Sequence, residues 1–216
     1  MASQETRICA LKLLVNPSNA CQISISGDGY LRFWQYCATD KTIKEFDALL
    51  PLKQEKGLYF VDHCWLPGDV FVAVERHGEI HVFRDAELLC SRSAWSFINK
   101  SRRAQEEIGS QCSDQDYMGG GACTTVCCLA PRGSDCFLLG GSGGYLGHFQ
   151  INSASSEIQC LHTFWLPSRQ TFFCVDFSPD ASSVVALAHC HRDEKTATAA
   201  TSQFPSMAKE LQRKLG

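Results

Sequence analysis

No stretch of this sequence approaches the ~20 consecutive apolar residues that a membrane-spanning helix requires. Charge of one sign is missing too. Lys and Arg number 20 against 23 Asp and Glu, and the net charge of −3 gives none of the basic surplus that duplex nucleic acid demands. The first residues, Met1 to Ile8, contain no apolar signal core, and the chain is expected to be soluble and intracellular. Cys-x-x-Cys is absent, and with it the ligand spacing most typical of structural zinc. What remains is a chain of 216 residues with 44% apolar residues, enough for one ordinary domain.

Cysteine, by contrast, is abundant, with thirteen residues. An odd count in a chain with no secretory signal argues against a disulfide framework, and a free cysteine packs as a small hydrophobe. Zinc has two weak candidates, Cys123-x-x-x-Cys127-Cys128 and His189-Cys190-His191. Strand geometry would hold Cys123 and Cys127 about 13 Å apart. Core thiols are the simpler account, and neither metal nor cofactor is expected.

Internal repetition dominates the rest. Four segments share one order, the fourth stopping after its second run at Ala188: an apolar run closing on proline, a turn, a second apolar run, a glycine, and a third run ending in an aromatic. The prolines are Pro17, Pro67, Pro131 and Pro179; the glycines are Gly29, Gly78 and Gly144; the closing aromatics are Trp34, Phe83 and Phe149. Proline to glycine is 12, 11 and 13 residues, and glycine to aromatic is 5 in each copy. Successive prolines stand 50, 64 and 48 residues apart. A fixed spacing inside the unit with a loose one between units suits short strands joined by variable loops.

Each landmark has a cause. Proline cannot donate to a ladder and so closes a strand. The glycine, preceded by Asp28, His77 or Gly143, supplies the positive φ of a tight turn. A fourth, outer strand fits at 42–46, 88–95 and 157–164. Four-stranded sheets repeated at this period predict an all-β fold, a partial propeller of about four blades. The units fall at about 5–50, 58–98, 122–165 and 171–190, so that 5–190 forms the propeller portion. Residues 191–216 make an irregular tail with a short helix near 207–215.

With those residues in view, the chain resembles WD-repeat proteins. Ser24 to Trp34 is similar to the second hairpin of such a blade, and Phe177-Ser-Pro-Asp180 to a common WD-repeat turn. It departs from the pattern in two ways. No copy carries Trp-Asp at the strand end, and none has Gly-His before its inner strand, so the family's buried polar tetrad is not carried over. Leu31-Arg-Phe-Trp34, residues 60–69 and residues 78–88 look like the large cilia- and flagella-associated WD-repeat scaffolds. That resemblance implies a non-catalytic interaction protein of cytoplasm, cytoskeleton and ciliary or flagellar axoneme. Its implied partners are axonemal proteins: tubulin of doublet microtubules, inner dynein arm or tether subunits, or a related WD-repeat chain. No nucleic acid, membrane or small-molecule substrate is expected. The alternative is an adaptor in trafficking or ubiquitin ligation.

A full seven-bladed ring needs about 300 residues, so the sequence is expected to be a fragment or to be completed by a neighbour.

Two features compete for chemistry. Gly140-Gly-Ser142-Gly-Gly144 follows an apolar run and satisfies Gly-x-Ser-x-Gly, and Asp176 with His189 or His191 gives the chain order of a serine hydrolase. The motif requires a helix after the serine, whereas Tyr145 to Ile151 has strand-like order, and the scaffold reading is preferred. The polar insertion 99–121 is long for a loop, and Lys100, Arg102 and Arg103 are the candidate partner-binding residues, suited to an acidic surface such as a tubulin tail.

Overall fold

A computed structural model of the chain describes residues 10–47, 59–97, 125–152, 155–165, 171–177 and 184–189. Four antiparallel sheets account for nearly all of them. Sheet 1 runs β1 (Ala10–Asn16), β2 (Asn19–Gly27), β3 (Tyr30–Cys37) and β4 (Thr42–Asp47) in simple meander order. Sheet 2 repeats it with β5 (Phe60–Leu66), β6 (Val70–Glu75), β7 (Glu79–Arg84) and β8 (Glu87–Ser93). Sheet 3 does so again with β9 (Val126–Arg132), β10 (Cys136–Gly141), β11 (Tyr145–Asn152) and β12 (Glu157–Trp165). Sheet 4 has two described strands, β13 (Thr171–Phe177) and β14 (Val184–His189). The predicted apolar runs and the outer strands are all present, within a few residues at each end.

The landmarks do what their chemistry requires at most positions. Gly29, Gly78 and Gly144 have φ of 65°, 83° and 78°, each at the turn before the third strand. Pro17 and Pro67 stand in the turns directly after β1 and β5. Pro131 differs: it lies inside β9, opposite Phe137. β9 is the edge strand of its sheet, where proline is tolerated because only one side of the strand is paired. Trp95, expected at the end of an outer strand, instead follows β8 in a helical turn at 94–97. Pro179, the insertion 99–121 with Lys100, Arg102 and Arg103, and the tail lie outside the described residues.

The chain divides into two compact units, Met1–Ser93 and Ala94–Gly216. In the first, sheets 1 and 2 pack face to face around Leu31, Phe33, Phe60, Trp65, Phe71, Ala73, Phe83 and Ala86. Phe33 is fully buried and meets Phe71 edge-on at 4.8 Å, Trp65 at 5.8 Å and Phe83 at 6.2 Å. Such edge-to-face pairs add about 0.5–1.5 kcal/mol each to the burial itself. In the second unit β13 lies on the inner half of sheet 3, with Phe172 and Val175 buried. Gly140 permits this approach, because a Cβ there would stand 2.6 Å from Cys128 Sγ and 2.9 Å from Val175 Cγ2.

Candidate functional site

The densest polar chemistry among the described residues is buried between sheets 1 and 2. Ser24 and Ser26 alternate on β2, and His63 and Trp65 alternate on β5, so each pair shares a face. His63 has no exposed surface. Its Nε2 lies 3.0 Å from Ser24 Oγ and its Nδ1 2.7 Å from Ser26 Oγ. Trp65 Nε1–H donates to Ser24 Oγ at 2.9 Å, and the Ser24 hydroxyl donates to the Leu14 carbonyl at 3.4 Å. That hydroxyl has one proton. With it committed to Leu14, Ser24 accepts from Nε2–H of His63, and Nδ1 accepts from the Ser26 hydroxyl. The imidazole is therefore neutral, and burial, aided by Lys12, pushes its pKa down to about 3.

Polar contacts continue along the same seam. Lys12 pairs with Asp62 at 2.5 Å. Asn16, 1% exposed, donates to Gln22 Oε1 at 2.6 Å and to Asp69 Oδ1 at 2.7 Å, and accepts from the Ser18 amide at 2.8 Å. Sequence reasoning set aside a polar tetrad and missed this network. The signal was Ser24-x-Ser26 and His63-x-Trp65 inside otherwise apolar runs, since polar side chains in a strand covered on both faces need partners.

A second row crosses sheet 2 itself. His81 Nε2 lies 2.7 Å from Glu75 Oε1, and Nδ1 lies 2.7 Å from Ser91 Oγ. These are the residue types of a hydrolytic triad, but here they occupy three strands side by side and use both ring nitrogens to tie β6, β7 and β8 together. In sheet 3, His148 is 4% exposed and neither ring nitrogen has a hydrogen-bond partner among the described residues. It lies against His162, directly opposite on β12, at 6.0 Å between ring centroids. Burial first, then Arg132 and His162, pushes its pKa down to about 4.

Ser142 does not stand in a nucleophile elbow. It opens a 3-10 turn, Ser142–Gly144, and strand β11 comes next where the elbow requires a helix. Its Oγ accepts from the Thr125 amide at 3.2 Å, and its own amide donates to the Thr125 carbonyl at 2.9 Å, so the residue closes the β9–β10 end of the sheet. Asp176 is exposed on β13, and His191 lies outside the described residues. Of nine described cysteines, Cys64 and Cys128 are buried, Cys174 is exposed and the other six are half-buried. Among the described residues no three His, Cys, Asp or Glu side chains cluster as a metal site would require.

One surface stands apart. Of five exposed large hydrophobic residues among those described, Leu13, Val15, Tyr36 and Ile43 lie on the face of sheet 1 turned away from sheet 2. Arg32 and Glu45 form an ion pair on the same face.

No protein-family model matches the chain, and no curated protein does. Solved structures do match. One is the crystal structure of the β-propeller domain of Cps50 (Swd1) from Myceliophteria thermophila, with a TM-score of 0.58 at 12% identity. The match covers 83% of this chain and 53% of that one, so the chain spans about half the length of that domain. Three four-stranded meanders, a further two-stranded sheet and this likeness together give the chain the fold of a partial β-propeller.

Proposed function

We propose that the chain acts as a non-catalytic protein-interaction scaffold. The observation that carries this is the fold itself: blade-like sheets held by internal polar networks, of a kind that typically presents loops and rims to other proteins. The buried His63 and His81 rows serve the packing of sheets, and Ser142 closes a sheet end.

Within that class the reading extends to a structural part of the ciliary or flagellar axoneme, beside doublet microtubules and inner dynein arm or tether assemblies. Its support is the resemblance in residues 31–34, 60–69 and 78–88. Lys100, Arg102 and Arg103 are the proposed contacts to an acidic partner surface. The fold agrees equally with an adaptor in a non-ciliary complex.

Fractionation of ciliated cells expressing the tagged chain tests this. Retention on salt-washed axonemes, lost on changing Lys100, Arg102 and Arg103 to Glu, is the expected result. A chain wholly in the detergent-soluble fraction would end the axonemal reading in favour of an adaptor. Esterase activity abolished by Ser142→Ala would end the non-catalytic one.

A further inference from the structure

Counted from the turn glycines Gly29 and Gly144, Phe33 and His148 hold the same place in their blades. Each has an aromatic residue opposite it on the outer strand, Phe46 across from Phe33 and His162 across from His148. In sheet 1 the place is apolar and filled, with Phe33 fully buried against Trp65, Phe71 and Phe83. In sheet 3 it holds an imidazole that is 4% exposed, and the residues beside it along the row are Leu138 and Ala130. Neither of its ring nitrogens has a hydrogen bond among the described residues. The other two buried histidines, His63 and His81, use both nitrogens. Buried polar groups are satisfied as a rule, and an exception calls for a specific account, an ion among them.

His162 supplies a second donor and a way in. It is exposed on β12, the outer strand, directly opposite His148. The ring centroids are 6.0 Å apart and the ring planes 23° from parallel. An ion about 2 Å from one nitrogen of each ring sets the centroids about 5–6.5 Å apart. The χ2 torsion of histidine is soft and selects the nitrogen that each ring presents. Imidazole ligates in its neutral form. Burial first, then Arg132, holds His148 in that form, with its pKa pushed down to about 4. No third His, Cys, Asp or Glu joins the pair among the described residues. Imidazole donors alone suit nickel, copper and zinc, whereas magnesium and calcium take oxygen.

We propose that His148 and His162 together hold one divalent ion of the nickel, copper and zinc type, clamping β12 to β11 at the outer side of sheet 3. Two protein ligands are fewer than a structural zinc site uses, so the ion keeps positions open to water and exchanges readily. The site is separate from the scaffold reading, which stands whether or not the ion binds.

Long-range proton–nitrogen NMR spectra of the chain labelled with nitrogen-15 histidine, recorded as zinc chloride is added, test it. The expected result is that one nitrogen signal of His148 and one of His162 move together, saturating at an equimolar amount, while the unfolding temperature rises. Both effects should vanish in His148→Phe and in His162→Gln. Phenylalanine already fills the matching place as Phe33, and His162 is exposed, so both variants are expected to keep the fold, as circular dichroism will verify. If His148→Phe does not fold, His162→Gln decides alone, through the loss of the His148 shift. Reading the rings directly separates this site from zinc taken up by cysteine thiols. Rings that stay unmoved in excess zinc would overturn the proposal, and so would a His162 signal that shifts as before in His148→Phe.

Discussion

Ser26 Oγ lies 2.7 Å from His63 Nδ1, joining the second strand of one sheet to the innermost strand of the next across 37 residues. The contact explains how sheets with mostly apolar faces find one register. Aliphatic faces slide at little cost, whereas a buried imidazole between two hydroxyls has one satisfied position.

Removing one hydroxyl should therefore cost more than a surface change. Ser26→Ala leaves Nδ1 buried without a donor, and a loss of about 1–3 kcal/mol is expected. In Ser26→Ala/His63→Leu no orphan remains, and the second change should cost much less than it does alone. Urea unfolding of the cycle measures this. Strictly additive losses would show that the two residues do not act as a pair.

Acid should loosen the same seam and, through His148, sheet 3 as well. His63 is held near pKa 3 and His148 near 4, both by burial first, against about 6.5 in the unfolded chain. Between these values the unfolded state binds the protons and the native state does not, so stability falls as pH falls. The contribution is complete above pH 6.5 and is lost progressively down to about pH 3 for His63 and pH 4 for His148. The urea midpoint should drop steadily from pH 7 to 4.5, and His63→Leu should flatten that slope. An unchanged slope in the variant would remove His63 from the account.

Much of this fold is legible in the sequence, because proline, glycine and the closing aromatic mark backbone events that are local. A proline's missing donor and a glycine's positive φ act within a few residues, as Pro17 with Gly29 and Pro67 with Gly78 demonstrate. Seam chemistry is another matter. Ser24 and His63 are 39 residues apart, and nothing in either segment says that they meet until the sheets are stacked. The Ser142 motif misleads for a related reason, since Gly-x-Ser-x-Gly acquires its meaning from the element after the serine, and here that element is strand β11. Trp95 leaves its expected strand because β8 ends at Ser93.

Gly140 tests the packing of β13 on sheet 3. Its backbone is extended, so alanine brings no torsional strain; the cost is steric, against Cys128 Sγ, Val175 Cγ2 and, at 3.0 Å, Phe172 Cβ. Gly140→Ala should destabilise by about 1–3 kcal/mol, in line with overpacked cores. Val175→Ala added to it should recover part of the loss. If the double variant is simply the sum of the singles, β13 does not press on Gly140.

Thiol reactivity separates the cysteines by position. Cys64 is buried, and burial, with Asp62 nearby, pushes its thiol up to about 12. Since the thiolate is the reactive species, at pH 8 only about one part in ten thousand of Cys64 is available, and the sheets exclude the reagent as well. Cys174 stands exposed on β13. Under native conditions iodoacetamide should modify Cys174 at least a hundredfold faster than Cys64, read by peptide mass over time, and in urea the difference should vanish. Comparable native rates would mean that β5 opens readily and that the His63 seam is not the rigid joint its hydrogen bonds describe.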